Sequence, residues 1–177
     1  MKPTEIGTRT KKAALRVAAK KTLPVVRRMA SAGRHGVVLF YVDSAMGRRP
    51  AHDVPVSLQV KAMEAGLPES ELTDLQTSLD LSSERLLSLV GLSKATFHRR
   101  KTTGTNLNPL VSDRVVRFAV LLSKAIKVFG SKDDANKWLN SPQFGLGGAV
   151  PLDYAKSEIG AREVEKLLGR IEYGVYA

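Results

Sequence analysis

The stretch Ser82-Ser83-Glu84-Arg85-Leu86-Leu87-Ser88-Leu89-Val90-Gly91-Leu92-Ser93-Lys94-Ala95-Thr96-Phe97-His98-Arg99-Arg100-Lys101 reads as two short helices joined by a tight turn. Leu86, Leu89 and Val90 recur at i, i+3 and i+4, which makes one apolar stripe on the first helix. Gly91 stands where the chain must turn, because glycine takes positive φ without steric cost. Leu92 returns to the core and Ser93 is a good N-cap for a second helix. That helix is expected to bury Phe97 and to turn Lys94, Thr96, His98, Arg99, Arg100 and Lys101 outward. An apolar helix, a glycine turn and a capped basic helix describe a DNA-reading helix-turn-helix. The same pattern also fits an ordinary helical hairpin, which the motif alone does not separate from it. Two positions depart from the usual helix-turn-helix: Leu87 stands where a small residue is common, and Arg100 where an apolar one is.

The rest of the 177-residue chain favours a polyanionic partner. The formal net charge is +11 and the pI about 10.1, large for this size. Hydrophobic residues make up 43%, enough for a globular core. No apolar run approaches the ~20 residues that cross a bilayer, so a membrane is not the expected anion. There is no cysteine, hence no disulfide framework and no thiolate chemistry, which suits a reducing cytoplasm. The histidines His35, His52 and His98 sit in no metal-ligand spacing. Gly145-Leu146-Gly147-Gly148 lacks the spacing of a phosphate-cradling loop. Asp133 with Asp134, and Glu163 with Glu165, read as helix-surface acids. No catalytic constellation emerges, and the chain is not expected to be an enzyme.

Outward from the central stretch the reading is all-α. Met1 to about Arg34 carries ten lysines and arginines against one acid, Glu5; it reads as a basic arm on phosphates or as a solvated tail. Its acid-poor composition also superficially resembles a transit peptide. Gly36 to Val42 fits either an isolated strand or a buried helical turn. Ser44 to Pro55, with Gly47, Pro50 and Pro55, reads as a linker. Helices are expected from Ser57, with Leu58, Ala62 and Ala65 on one face, and from about Pro68–Ser70, carrying Leu72, Leu75 and Leu79. After a polar loop from Thr102 to Pro109, Ser112 or Asp113 is expected to cap a long helix to Phe129. Val115, Phe118, Leu122, Ala125 and Phe129 form one stripe of that helix and Val116 and Val120 a second, so burial on more than one side is expected. Five helices with the helix-turn-helix in their middle make a bundle. Beyond Gly130 come a helix from Lys132 to Asn140, a turn-rich stretch from Ser141 to Gly148, a helix opening at Pro151 and stopped by Gly160, and a final helix from Ala161 to about Tyr173. The domain division is a basic arm and linker at 1–55, a helix-turn-helix domain at 56–130 and a C-terminal domain at 131–177.

The chain ends Glu172-Tyr173-Gly174-Val175-Tyr176-Ala177, apolar and aromatic where termini are usually polar. These residues either fold back onto their own core or enter a partner's pocket. The pattern Trp138-Leu139, Pro142, Leu146-Gly147-Gly148, Pro151-Leu152-Asp153, Gly160, Val164, Leu167-Leu168, Arg170-Ile171-Glu172-Tyr173-Gly174-Val175-Tyr176 resembles the toxin-binding C-terminal domain of the Xre/MbcA/ParS-type antitoxins. Leu89 to Lys101 is similar to the Xre-like helix-turn-helix of the same family, and the likeness covers about Leu72 to Ala177. The resemblance implies the antitoxin of a RES–Xre toxin–antitoxin pair, whose RES-domain toxin consumes NAD. It implies that Arg170, Glu172, Tyr173, Gly174, Val175, Tyr176 and Ala177 contact the toxin at its active-site entrance. Ser93, Lys94, Thr96, His98, Arg99, Arg100 and Lys101 are the DNA-binding candidates, on an operator read by a homodimer. Trp138, Leu139, Leu152, Val164, Leu167, Leu168 and Ile171 are expected to hold the C-terminal domain together. NAD belongs to the toxin, so no cofactor is assigned to this chain. A free-standing repressor without a toxin is the competing function.

Overall fold

The computed structural model of the chain describes residues 36–48 and 56–175, without the side chains at 56–59 and 62. The basic arm before residue 36, the linker residues 49–55, the face of Leu58 and Ala62, and the terminal Tyr176 and Ala177 lie outside what is described. Among the described residues the regular structure is helical and there is no strand, as the all-α reading expects. The helices are α1 (Val37–Ala45), α2 (Val56–Ala65), α3 (Ser70–Leu79), α4 (Ser83–Val90), α5 (Lys94–Thr103), α6 (Pro109–Phe129), α7 (Lys132–Asn140), α8 (Pro151–Tyr154) and α9 (Glu158–Glu172). A 3-10 turn, Phe144–Leu146, lies between α7 and α8.

Helix α6 is the axis. Val111, Val115, Val116, Phe118, Ala119, Leu121, Leu122, Ala125 and Ile126 are all buried, so its apolar residues cover more than one face. Helices α1, α2, α3, α4, α7 and α9 pack against it, and the buried residues form one continuous core. Its N-cap is Asn108, whose Oδ1 accepts the Val111 N–H at 2.8 Å, with Pro109 at the first helical position. This corrects the expected cap at Ser112 or Asp113: an Asn-Pro pair satisfies an orphan amide and presets φ one turn earlier. Ser112 is instead buried, accepting the Leu67 N–H at 3.0 Å and donating to the Asn108 carbonyl at 2.9 Å.

The segment at 36–42 is helical, and it belongs to the bundle rather than to an arm. Val37, Val38 and Val42 are buried, and Ser44 and Ala45, read as linker, finish the helix. What overrides the β-branched composition is a residue from another helix. Glu71 of α3 is buried and accepts the Val37 and Val38 N–H groups at 2.7 and 2.9 Å, capping α1 from outside its own sequence. A Cβ on Gly36 would lie 2.0 Å from Glu71 Oε1, so glycine there permits the approach. Burial pushes the Glu71 carboxyl up, against the downward pull of the two amides.

Within the helix-turn-helix, Leu86, Leu87, Leu89 and Val90 are buried, so the bulky Leu87 serves as core rather than holding the helices apart. Gly91 sits at φ +67°. Leu92 N–H donates to the Leu87 carbonyl at 2.9 Å and Gly91 N–H to Ser88 at 3.4 Å, the Schellman closure. Arg114 of α6 donates to the Val90 carbonyl at 2.8 Å, clamping the turn from behind.

In the C-terminal part α7 and α9 lie against α6, and Leu139, Leu152, Val164 and Leu168 are buried as expected. Trp138 is half-buried against Phe129, with ring centroids 5.5 Å apart, while Leu167 and Ile171 are only half-buried. Gly160 does not stop a helix; it lies in the first turn of α9, where a Cβ would be 1.8 Å from the Tyr154 carbonyl oxygen. The break falls before it, because Ser157 caps α9 by accepting the Gly160 N–H at 3.0 Å. Polar ties join this part to α3, α4 and α6: Asn136 to the Ser78 carbonyl at 3.0 Å, Arg85 to Asp153 at 2.5 Å, Arg117 to Glu158 at 3.2 Å and Lys124 to Glu165 at 2.6 Å. The Arg85 guanidinium, with Lys156 adding to it, holds the Asp153 carboxyl below its ordinary value.

Gly91→Ala is expected to lower unfolding stability by about 2 kcal/mol or more in urea titration. Its Cβ would lie 2.1 Å from Arg114 Nη1, so left-handed strain adds to loss of the Val90 clamp. For Glu71, a folded-state pKa raised above the unfolded one gives stability that is present at low pH and lost as pH rises through the folded value. The stability difference between wild type and Glu71→Gln should therefore move in favour of wild type as pH falls from 7 to 4. A difference independent of pH would contradict the raised value.

Candidate functional site

Two exposed surfaces stand out, one at the basic helix α5 and one at the far end of α9. Helix α5 buries no residue completely; it touches the core through half-buried Phe97. Its N-terminus is fixed by Ser93, whose Oγ accepts the Thr96 N–H at 3.1 Å and donates to Thr96 Oγ1 at 2.9 Å. At its C-terminus Gly104 takes φ +62°. Thr102 and Thr103 bond back to carbonyls of His98 and Arg99 within the helix.

The helical period sorts the candidates. Lys94, His98 and Lys101, at i, i+4 and i+7, form one exposed ridge, and Arg99 is exposed beside it with Ala95 and Thr102. Thr96 and Arg100 share the inner side with Phe97 and are half-buried. Both were expected to face outward. Arg100 instead donates to the Asn106 carbonyl, and Asn106 in turn donates to the Gly66 carbonyl at 3.1 Å. The guanidinium thus replaces the common apolar residue by tying α5 to the loop behind it. Lys94 pairs with Glu84 of α4 at 3.0 Å, an exposed contact worth at most ~1 kcal/mol. No acid lies in the first turn of α5, and His98, Arg99 and Lys101 stand exposed along it, so the outward charge of the helix itself is positive, with Glu84 of α4 offsetting only Lys94.

Sequence reasoning missed Arg114 and Asn106, which fix the position of α5 without facing its exposed side. Neither carries a local signal, because each acts on a segment distant in the chain. Among the described residues no group of three or more His, Cys, Asp or Glu is placed to hold a metal. No helix among them is long and apolar enough to cross a membrane.

The second surface is built by the end of α9. The Val175 N–H donates to the Arg170 carbonyl at 2.9 Å and the Gly174 N–H to Ile171 at 3.2 Å, with Gly174 at φ +67°. This is again a Schellman closure, so Gly174 directs the chain through a defined turn. Tyr173 is 79% and Val175 55% exposed, and Glu172 is exposed too. Of the two courses open to the terminal segment, its described part does not fold back. Tyr173 and Val175 instead flank an open groove of about 530 Å³ with Glu163, Lys166, Gly169 and Arg170. Arg170 is half-buried and its Nε finds no acceptor among the described residues.

Comparison with known proteins assigns both halves. Residues 59–120 match the family described as the Antitoxin Xre-like helix-turn-helix domain, and residues 124–174 the Antitoxin Xre/MbcA/ParS C-terminal toxin-binding domain. An Antitoxin Xre from Yersinia enterocolitica is 29% identical over 119 residues, 67% of this chain and 80% of the relative. An Antitoxin Xre from Photorhabdus laumondii is 30% identical over 114 residues, 64% of this chain and 77% of the relative. A third, from Pseudomonas putida, is 33% identical over 63 residues, 36% of this chain and 40% of the relative. With both domains matched in order and a relative 30% identical over most of its own length, the chain belongs to the Xre/MbcA/ParS-type antitoxins.

Proposed function

We propose that this antitoxin neutralises a cognate RES-domain, NAD-consuming toxin by covering its active-site entrance with the C-terminal segment. The observation that carries the reading is the end of α9, where Tyr173 and Val175 stand exposed on a chain turned by Gly174. Two exposed apolar side chains flanking the turn at a helix end suit insertion into a cleft, and tyrosine adds a polar tip to its apolar ring. Arg170 and Glu172 border the plug, and Tyr176 and Ala177 continue it beyond the described residues. The RES identity rests on the resemblance of Trp138 to Tyr176 to that family's C-terminal pattern. NAD is the toxin's substrate; this chain takes no cofactor and acts as an inhibitor and regulator rather than an enzyme.

The same chain represses the operon encoding both proteins. Lys94, His98 and Arg99 face the base edges in the major groove, while Lys101 and the start of the following loop meet phosphates. Thr96 and Arg100 position α5 and leave the contacting to their neighbours. One such helix is a small reader, so a homodimer on half-sites about one helical turn (~34 Å) apart is the working form. The three units are the basic arm, the helix-turn-helix domain and the toxin-binding domain.

Deleting residues 173–177 should abolish protection of cells expressing the cognate toxin and leave operator binding intact in gel shift. Survival on toxin induction would sink the plug. Arg99→Ala should weaken specific operator binding by about 1–3 kcal/mol while toxin binding is unchanged. An unaltered gel-shift titration would remove Arg99 from the reading face.

A further inference from the structure

Phe144 is 101% exposed, more open than any other large apolar residue described. Single apolar side chains on a surface are ordinary, but this one is not on a loose loop. Its turn is closed by the Gln143–Ala149 bridge, with Gln143 N–H on the Ala149 carbonyl at 3.1 Å and Gly148 N–H on Gln143 at 3.0 Å. The Gln143 side chain donates to the Trp138 carbonyl at 3.0 Å and to Ser141 at 2.9 Å. Gly145 lies flat on α9: a Cβ there would be 2.7 Å from Leu167 Cδ1. Leu146, two residues on, packs against the core. The ring is therefore held out to solvent by a turn whose other members are pinned, so the backbone beneath it is ordered before any partner arrives and only the side-chain rotamer remains to be fixed.

Its place on the molecule indicates the partner. The turn rests on Leu167, six residues before Tyr173, or about 9 Å along the helix at 1.5 Å per residue. Ile159, 78% exposed, lies on the same outer side of α9, with Glu163, Lys166 and Arg170 following it at helical spacing. Leu167 and Tyr173 lie about 120° apart round α9 at 3.6 residues per turn, so a partner seated on Tyr173 and Val175 meets Phe144 by wrapping the flank of the helix, which a contact of roughly 800 Å² on this chain is large enough to do. Phe144 also lies inside the segment matched to the toxin-binding domain, residues 124–174, whereas the last three residues lie outside it.

We propose that Phe144 is a second toxin anchor, an aromatic knob on an ordered turn that enters an apolar pocket on the toxin's outer surface, apart from the cleft that receives the tail. The proposal rests on the antitoxin reading above and assigns the tail and the knob different tasks. The tail blocks the active site; the knob slows dissociation. Aromatic residues, phenylalanine among them, are enriched at protein interfaces relative to the rest of the surface.

The test uses the full chain and the catalytically inactivated RES-domain toxin encoded with it, with binding followed by surface-coupled kinetics. Phe144→Ala should raise Kd at least tenfold, chiefly through a faster off-rate, and Phe144→Leu should lose less. Because the ring touches little of its own protein, thermal midpoint and operator gel shift should match wild type. Wild-type binding that Phe144→Ala leaves within twofold overturns the anchor and spares the antitoxin reading. A lowered thermal midpoint in proportion to lost affinity overturns it as well, by giving Phe144 a role in its own fold. So does a shift of the chain from dimer to monomer at unchanged toxin affinity, which assigns the knob to a second copy. If wild type itself does not bind the toxin, the antitoxin reading fails and the anchor with it.

Discussion

A helix whose apolar side chains point in several directions has to be wrapped, and Pro109–Phe129 is such a helix. Val111 and Phe118, Val116 and Leu121, Ala119 and Ile126 all need cover, and no single neighbour supplies it. The other helices are arranged by that requirement. Helices α1, α3 and α4 take one part of the surface, and α7 and α9 another. Fully burying one such side chain is worth ~1.5–3 kcal/mol, so leaving any flank of α6 bare costs more than an exposed ion pair returns. The two candidate surfaces lie at the margins of this packing. Helix α5 buries no residue completely, and Glu172, Tyr173 and Val175 at the end of α9 are exposed.

The parts of this architecture that could be read from the sequence were those with local causes. Leu72, Leu75 and Leu79 recur at helical spacing and are buried; Ser82, Ser93 and Ser131 stand before periodic segments and cap them. Gly91 and Gly130 take the left-handed turns their positions call for. What escaped reading had causes elsewhere in the chain. Val37–Ala45 is β-branched and short, and its state is decided by the carboxylate of Glu71, more than thirty residues on. The start of α6 was misplaced because Ser112 looks like a cap, whereas Asn108 with Pro109 satisfies the free amides first.

The candidate surfaces divide in the same way. The positive charge of α5 was plain, but which charges face outward was not. Arg100 differs from Arg99 only in where its side chain finds an acceptor, and that acceptor is the Asn106 carbonyl across a loop. The aromatic end of α9 was also plain; the sequence leaves open which way it faces, and of its residues Tyr173 and Val175 stand exposed about the Schellman turn at Gly174. Phe144 stands in the sequence only as one member of a turn-rich stretch, and it is exposed because Gly145 and Leu146 take the inner positions.

The two matched family segments, 59–120 and 124–174, meet inside α6, at the buried Leu121, Leu122 and Ser123. A seam placed in the middle of a packed helix cannot behave as a hinge. It also restricts how such genes can be shuffled. A chimaera that takes its front half from one antitoxin and its back half from another inherits a hybrid α6, and must match side-chain volumes on both flanks. It must also keep Arg85 opposite Asp153 and Asn136 opposite the Ser78 carbonyl. The recognition of DNA and of toxin would then be easier to alter by substitution on exposed positions than by exchange of whole halves.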